Sequence, residues 1–289
     1  MLHAFTVDVE DYFQVSAFER AISRCQWNSL PSRVVASTGR LLERLADHQV
    51  CGTFFVLGWV AARFPAFVRE IQAAGHEIGS HGYWHRLIYS QTPVEFRSDV
   101  RQSKQVIEDA IGQPVTAYRA PSFSITRSSL WAPQILVEEG FRVDSSVFPT
   151  RHDRYGIPGA KATIHTIHTR SGPLVEFPPT IARFGRFAAP VGGGGYFRLY
   201  PYALTRTLLR RIERSEQRPF MFYIHPWEID PQQPRLRAGS RLSRLRHYIN
   251  LPATERKLGQ LLRDFAFGPM STVLAGEQSK RLPLAGVAA

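Results

Sequence analysis

The sequence predicts an α/β fold and, within that class, a distorted (β/α) barrel with about seven parallel strands. Short apolar segments, such as residues 51–57 and 220–224, alternate with longer segments of helical period. Strands that are apolar throughout are typical of parallel sheets covered on both faces. Polar residues follow several of these segments, at the edge where parallel folds place their functional sites. Because these separate strand ends have to converge on one centre, a barrel is favoured over an open sheet.

The first half of the chain supplies the clearest elements. Residues 4–9 alternate and are rich in aromatic and β-branched side chains, which predicts the first strand. Short apolar segments predict further strands at 51–57 and 76–78. Apolar residues at helical spacing predict helices at 34–49, 61–74 and 94–111, with Gly75 and Gly112 as the stops of the last two.

The second half continues the alternation with shorter signals. We expect helices at 128–140 and 201–216, and strands at 117–119, 142–144, 174–177 and 220–224. A run of glycines at 192–195 precedes an aromatic segment, but no Gly-Lys-Ser or Gly-Lys-Thr follows it. The run therefore does not resemble a phosphate-binding loop, and it favours a mobile lid or a turn.

Composition narrows the class of protein. The chain has 289 residues, of which 44% are hydrophobic and 21% are charged, as in ordinary folded proteins. No segment approaches the ~20 apolar residues that span a bilayer, and the amino terminus lacks the pattern of a signal peptide. Only Cys25 and Cys51 are present, too few for a disulfide framework. We therefore expect a cytoplasmic protein.

The positive charge is carried almost entirely by arginine. The formal net charge is +12, yet lysine occurs only at positions 104, 161, 257 and 280. The arginines are spread along the chain, so we expect a solvated basic surface and no nucleic-acid partner.

One arginine cluster is denser than the rest and predicts a basic amphipathic helix. Its apolar residues are Leu242, Leu245 and Ile249, and the arginines around them are Arg235, Arg237, Arg241, Arg244 and Arg246. A solvated helix face is one interpretation of this pattern. Contact with an anionic membrane surface or a lipid-linked pyrophosphate is the other.

Two histidines four residues apart form the strongest chemical signal. His81 and His85 follow a short apolar strand, with glycines at positions 79 and 82. Four residues is about one helical turn, so both imidazoles can reach one point, and neutral imidazole is a common zinc ligand. Such a pair alone is a weak signal, but Asp8, Glu10 and Asp11 at the end of the first strand can complete the coordination. The two clusters together predict a metal-dependent hydrolase.

Five short motifs in the chain resemble those of one family. In order they are Thr6-Val7-Asp8-Val9-Glu10-Asp11, Ser80-His81-Gly82-Tyr83-Trp84-His85, Arg119-Ala120-Pro121-Ser122-Phe123, Asp144-Ser145-Ser146 and Tyr223-Ile224-His225-Pro226-Trp227. This order resembles that of the NodB-homology polysaccharide deacetylases, which form carbohydrate esterase family 4. The Asp-Val-Glu-Asp-Tyr-Phe start and the extension after His225 resemble the subgroup found beside exopolysaccharide and exosortase loci.

The resemblance implies a metal and a base. A divalent metal, expected to be zinc, would be held by His81, His85 and one carboxylate. Asp8 would act as the general base, and Arg119 would orient Asp8 through an ion pair. In most of the family two adjacent aspartates follow a Thr-Phe pair, whereas here Asp8 is separated from the next two acids.

The identity of the carboxylate ligand therefore stays open between Glu10 and Asp11. Residues two apart on a strand face the same side, so Asp8 and Glu10 can both point at the metal, while Asp11 lies in the turn. We favour Glu10 on this ground and keep Asp11 as the alternative.

The resemblance also implies an acid and a substrate surface. His225 would protonate the departing amine, and Asp144 would orient His225 and favour its protonated form. The substrate-binding residues would be Tyr12, Pro121 and Trp227, of which the aromatic two could stack on a sugar ring.

These expectations combine into one function and two alternatives. We expect residues 1–230 to form the deacetylase domain and residues 231–289 to form a basic, helical extension packed on it. The function expected is removal of N-acetyl groups from N-acetylhexosamine units of an exopolysaccharide or its lipid-linked precursor, with a peripheral position at the inner membrane face. The alternatives are an allantoinase-like hydrolase of cyclic amides and a non-catalytic relative that binds carbohydrate or membrane.

Overall fold

A central sheet of nine strands, surrounded by helices, forms the core of the computed structural model, which describes residues 1–152, 155–185 and 187–281. The strands are β1 Leu2–Val9, β2 Thr53–Val56, β3 Glu77–Ser80, β4 Ala117–Tyr118, β5 Val143–Asp144, β6 His165–Thr169, β7 Gly172–Glu176, β8 Ile181–Phe184, β9 Phe187–Pro190, β10 Met221–Ile224 and β11 Ala266–Gly268. The helices are α1 Val34–Asp47, α2 Gly58–Arg63, α3 Pro65–Ala73, α4 Pro93–Ile111, α5 Ala132–Glu138, α6 Gly194–Leu199, α7 Tyr202–Ser215, α8 Arg241–Tyr248, α9 Leu251–Asp264 and α10 Met270–Arg281.

Parallel neighbours form most of this sheet. The order is β10, β1, β2, β3, β4, β5 and β7, and each adjacent pair in this row is parallel. Strand β6 continues the row as an antiparallel neighbour of β7, β11 pairs with the start of β1, and β8 and β9 form a separate hairpin. The α/β class and the expected row of about seven parallel strands are confirmed.

The glycine run closes this row of strands into a distorted barrel. The hydroxyl of Thr180 donates to the carbonyl of Met221 at 2.7 Å, and the N–H of Tyr223 donates to the carbonyl of Gly192 at 2.7 Å. Gly193 has φ +130°, and a Cβ there would lie 1.8 Å from the carbonyl oxygen of Tyr223, so no other residue allows this approach. The run is thus a closing contact of the barrel and not the mobile lid that we considered from the sequence.

Local sequence explains where the helices begin and end. Thr92 caps α4, with Glu95 completing the capping box, and Gly112 ends it at φ +67°. The helix expected at 61–74 is instead two helices, α2 and α3, because Pro65 forces Phe64 out of helical conformation.

The carboxyl ends of the parallel strands gather polar side chains that the core encloses. Asp8, Arg119 and Asp144 are all buried at these ends, among strands whose other residues are mostly apolar. Burying an ionised side chain is costly unless it has a partner, so this end of the barrel has to satisfy its own charges. It is the part of the fold that holds the candidate site.

Residues after Asp230 pack against the same barrel. Leu258 and Leu261 of α9 and Met270 of α10 are fully buried, and β11 joins the central sheet. The division into 1–230 and 231–289 stays a prediction, and residues 282–289 of the expected extension lie outside the described residues. Within the described ranges, every helix is too short or too polar to cross a lipid bilayer.

Candidate active site

Three buried side chains at the barrel end form a candidate metal site. One ligand atom each from Glu10, His81 and His85 lies within 4.8 Å of the others. Nε2 of His85 is 2.7 Å from Oε2 of Glu10, and the neighbouring histidines hold the pKa of Glu10 well below its usual range although burial alone would raise it. Two imidazoles and one carboxylate are a donor set that zinc accepts while keeping a position open. The residues present therefore fit a divalent cation.

The hydrogen bond of His81 prepares this side chain as a ligand. Its Nδ1 lies 2.9 Å from the backbone carbonyl of Arg119, which can only accept, so the proton sits on Nδ1 and the lone pair on Nε2. Burial lowers the pKa of His81 to about 4, so the ring is neutral at physiological pH. A neutral imidazole with a free Nε2 is the form that binds a cation.

The loop between the two histidines is held by a residue that the sequence did not single out. Asp99 of α4 accepts hydrogen bonds from the backbone N–H of Tyr83 at 2.8 Å and of Trp84 at 3.2 Å. Gly82 has φ +73°, and a Cβ there would stand 2.9 Å from the Asp99 carboxylate. The loop therefore depends on glycine at this position and on an acceptor from the neighbouring helix.

The structure separates Glu10 from Asp11. Asp11 accepts hydrogen bonds from the hydroxyl of Ser32 at 2.6 Å and from the N–H groups of Arg33 and Val34 at 3.0 Å and 3.3 Å, so it caps the start of α1. Its oxygens are used by these donors and it is not part of the three-residue cluster. The structure thus brings Glu10, and not Asp11, to His81 and His85.

Asp8 and Arg119 form a buried ion pair beside the cluster. Nη1 of Arg119 lies 2.6 Å from Oδ1 of Asp8 and also donates to the hydroxyl of Thr6 at 2.8 Å. Nη2 donates to Ser145 at 3.0 Å, and the guanidinium lies 4.2 Å from the centre of the Phe55 ring. Arg119 therefore fixes one oxygen of Asp8 and leaves the other facing the site.

His225 lies opposite, within reach of both carboxylates. Its Nε2 is 3.8 Å from Oδ2 of Asp8 and 3.6 Å from Oε1 of Glu10. Its Nδ1 is 3.0 Å from Oε2 of Glu228, whose other oxygen accepts from Nε of Arg198 at 2.7 Å. Burial alone lowers the pKa of His225, but Glu10, Glu228 and Asp8 outweigh it and raise the value to about 9. The ring is thus protonated near neutral pH and can act as a proton donor.

The partner expected for His225 is elsewhere. Asp144 accepts a hydrogen bond from the hydroxyl of Ser146 and stands directly opposite Glu176 in the pairing of β5 with β7. Burial raises the pKa of Asp144 to about 6 and that of Glu176 well above its ordinary value. The structure therefore does not bring Asp144 to His225, and Glu228 occupies the expected position. The His-Pro-Trp-Glu spacing, which suits a helix cap, is the sequence signal that could have indicated it.

The three expected substrate contacts are all buried. The hydroxyl of Tyr12 donates to the carbonyl of Pro31 and its ring packs on Phe13, while Pro121 begins the short turn after β4. Trp227 is sandwiched between His225 and His247, at ring distances of 5.1 Å and 4.2 Å. Because both of its faces are covered, Trp227 cannot stack on a sugar. Its Nε1 donates instead to Oε1 of Glu10 at 3.1 Å.

An aromatic cluster beside His225 was missed from the sequence. It consists of Phe123, Tyr155, Tyr196 and Tyr223. Tyr223 lies 5.9 Å from His225 and 4.9 Å from Phe123, and the hydroxyls of Tyr155 and Tyr196 are 3.3 Å apart. Tyr155 and Tyr196 are partly exposed. No local pattern connects these residues, because the fold brings them together from distant parts of the chain.

The strands and this cluster of histidines and carboxylates together define a distorted (β/α) barrel with a candidate metal site. Residues 27–136 match the family described as "Polysaccharide deacetylase", and residues 145–275 match one described as "Domain of unknown function (DUF3473)". Residues 27–136 therefore form a polysaccharide deacetylase domain, as the motifs predicted.

Individual relatives agree with this assignment. The peptidoglycan-N-acetylglucosamine deacetylase of Bacillus cereus is 32% identical over 98 residues, which cover 34% of this chain and 36% of that protein. The matches span less than half the length of such curated relatives.

Two solved structures share the fold over nearly the whole chain. A Mycobacterium smegmatis protein assigned to the polysaccharide deacetylases has a TM-score of 0.64 at 21% identity, with 97% of this chain and 91% of that chain covered. The allantoinase Puue has a TM-score of 0.61 at 16% identity, with the same coverage of 97% and 91%. At such identities the likeness establishes the barrel alone.

Proposed function

We propose that the protein is a divalent-metal-dependent deacetylase of N-acetylhexosamine units in an exopolysaccharide or its lipid-linked precursor. The observation that supports the proposal is that an aspartate and a histidine stand beside one cluster of side chains able to hold a cation. Asp8 lies beside the cluster of Glu10, His81 and His85, and Nε2 of His225 is 3.8 Å from Asp8.

The residues divide the hydrolysis of the amide between them. Asp8, held by Arg119, takes a proton from the attacking water, whose oxygen adds to the acetyl carbon. The C–N bond then breaks, acetate leaves with the water oxygen, and His225 gives its Nε2 proton to the departing sugar nitrogen. A cation held by the three ligands supplies Lewis-acid polarisation of the amide carbonyl.

The donor set and the aromatic cluster support the finer parts of the proposal. Two imidazoles and a carboxylate favour zinc over magnesium or calcium, which prefer oxygen ligands. The partly exposed ring of Tyr196 suits the face of a sugar ring, whereas Tyr155 is already stacked on Phe148 and His152. The Bacillus cereus relative, named for an N-acetylglucosamine substrate, supports an N-acetylhexosamine.

The direct test is product analysis with the zinc-loaded protein. Acetate release from N-acetylglucosamine oligosaccharides should be measured beside ring opening of allantoin, with and without a chelator. We expect acetate from the oligosaccharides, loss of activity after chelation and recovery with zinc. Turnover of allantoin alone would establish the cyclic amide hydrolase, and no turnover of either by a zinc-loaded protein would favour the non-catalytic relative.

We further propose that the basic segment 235–246 binds an anionic membrane at its cytoplasmic face. Residues 231–254 contain no aspartate or glutamate, and Leu242 and Leu245 of α8 are 54% and 60% exposed. The helix is shorter than expected, because it begins at Arg241 and leaves Arg235 and Arg237 in the segment before it. His247 of α8 stacks on Trp227, so a membrane at this helix would lie near the site.

Vesicle binding tests this second proposal. The protein should bind phosphatidylglycerol vesicles at low salt, and salt should weaken the binding. Replacing Arg241, Arg244 and Arg246 with Gln should weaken it about 10²-fold, since each basic residue near such a surface contributes about 1 kcal/mol. The matched control replaces Arg97 and Arg101, which pair with Glu139, and should bind as the wild type does. Equal binding by both variants, or none by the wild type, would leave α8 as a solvated helix.

A further inference from the structure

Glu228 receives only donors, and two of them come from His225. Its Oε2 accepts from the backbone N–H and from Nδ1 of His225, both at 3.0 Å. Its Oε1 accepts from Nε of Arg198 at 2.7 Å. Three donors on one side chain require a carboxylate, because an amide would turn a hydrogen toward one of them. This carboxylate therefore keeps a proton on Nδ1 of His225 and leaves Nε2 facing Asp8.

Arg198 holds Glu228 from behind and is itself fixed. Its Nη1 donates to the carbonyls of His247 at 2.7 Å and Ile249 at 3.2 Å, and the side chain is 3% exposed. The guanidinium lies 5.1 Å from the centre of the Trp227 ring. A buried arginine with these partners cannot follow a moving carboxylate, so Glu228 stays in one place. Arg198 and His225 hold the pKa of Glu228 at about 2 although its burial alone would raise it.

Stacking fixes the plane of the same imidazole. Trp227 lies 5.1 Å from His225 with an angle of 20° between the rings, and His247 covers the far face of Trp227. The hydrogen bond from Nδ1 to Glu228 sets the rotation within that plane. Together these contacts leave Nε2 of His225 a single direction, toward Asp8 and Glu10.

We infer that Glu228, held by Arg198, is the positioning residue of the general acid His225, in place of Asp144. The inference rests on the proposed function, since it presupposes that His225 acts as an acid. His225, Glu228 and Arg198 fall in the stretch 145–275 matched by the domain of unknown function, whereas the two histidine ligands fall in 27–136. The carboxyl-terminal stretch would therefore hold the general acid His225 beside the cluster of Glu10, His81 and His85.

Glu228→Gln is the variant that separates positioning from packing. It keeps the volume of the side chain but turns an N–H group toward His225 or Arg198. We expect kcat to fall about 10²-fold or more, with KM and bound zinc close to wild type, as for other groups that orient a catalytic histidine. Glu139→Gln is the matched control, because the Glu139 carboxylate also accepts from arginines, Arg97 and Arg101, and Glu139 stands at the carboxyl end of α5, outside the cluster of site residues. It should leave kcat unchanged.

A spectroscopic readout does not depend on turnover. Ring ¹⁵N shifts of His225 in the zinc-loaded protein should show a proton on Nδ1 in the wild type. In Glu228→Gln the neutral ring should shift toward the form protonated on Nε2. Asp144→Asn should keep the wild-type pattern. A wild-type ring protonated on Nε2 alone, or a pattern that changes in Asp144→Asn but not in Glu228→Gln, would overturn the inference.

A second set of variants covers the case in which Glu228→Gln does not fold. Glu228→Asp keeps the charge that Arg198 requires, and we expect it to recover part of the lost kcat. In a His225→Ala background, replacing Glu228 should cost no further activity, whereas a purely structural role would cost as much as before. Additive losses would refute positioning. Failure of the wild type to release acetate would refute the proposed function instead, with the ¹⁵N result still standing.

Discussion

The two halves of the site are built in different ways. The metal half takes Glu10 from the end of β1 and His81 and His85 from the segment after β3, and strand β2 lies between these two strands. The acid half takes His225 and Glu228 from one short turn and supports them with Arg198 from a distant helix. In each half one pair stands close in sequence, His81 with His85 and His225 with Glu228, whereas the fold brings Glu10 to the first pair and Arg198 to the second.

The same residue type is tuned in opposite directions in the two halves. Burial dominates at His81 and lowers its pKa to about 4, which suits a ligand. At His225 three carboxylates outweigh burial and raise the pKa to about 9, which suits an acid. Both rings are buried, but Nδ1 of His81 meets a backbone carbonyl whereas Nδ1 of His225 meets the carboxylate of Glu228.

Removing a metal ligand should give the largest loss of activity, and its structural effect should be confined to the metal half. His81→Ala removes one of three protein ligands, so we expect most of the bound zinc and nearly all activity to be lost in a folded protein. Elemental analysis of the purified variant checks this, with circular dichroism as the control for folding. Full metal occupancy in His81→Ala would break the assignment of the metal half.

Removing the base should stop the reaction while sparing the metal. Asp8→Asn should keep bound zinc and lose about 10²–10⁴-fold in kcat, as for a general base. Because Arg119 then lacks its charged partner, the variant should also unfold more easily, by about 3–5 kcal/mol. Acetate release and urea unfolding measure the two losses. A variant that retains wild-type kcat would exclude Asp8 as the base.

Trp227 joins the two halves and should give an intermediate effect. It stacks on His225 and donates from Nε1 to Glu10, so Trp227→Phe keeps the stack and removes the donor. We expect zinc affinity to fall about 10-fold, as for other groups that orient a metal ligand, with a smaller change in kcat at saturating zinc. Competition with a zinc chelator measures the affinity. Unchanged affinity would show that the halves are independent.

The buried pair of Asp144 and Glu176 should change how the free energy of unfolding depends on pH. Asp144 has a pKa raised to about 6 and that of Glu176 is raised further, so both favour their protonated forms in the folded protein. Such groups stabilise the fold at low pH and lose this contribution as pH rises through the raised values. Glu176→Gln should therefore gain stability relative to wild type as the pH is raised from about 4 to neutral, because the variant has no carboxyl to ionise at this position.

Thermal unfolding across this pH range measures the gain. Glu43→Gln, at an exposed position of α1, is the control and should follow the wild type at every pH. A difference in stability between Glu176→Gln and wild type that does not change with pH would show that Glu176 does not have a raised pKa in the folded protein.

How far the sequence could predict the molecule follows from the same contrast. Apolar strands and helical periods predicted the barrel, and the alternation of residues along β1 favoured Glu10 over Asp11 as the residue that meets the histidines. Glu228 was not predicted because the resemblance assigned the orienting role to Asp144. The sequence does not show that Asp144 is buried opposite Glu176. Trp227 was assigned to the substrate because sequence does not show that both of its faces are covered.

Anomalous diffraction at the zinc edge, from crystals of the wild-type protein grown with zinc, tests the central claim most directly. We expect one dominant peak within coordinating distance of Glu10, His81 and His85, with His225 beside it but not bound to it. A dominant peak at Asp11 or at Asp144 and Glu176, or the absence of any peak at the two histidines, would contradict it.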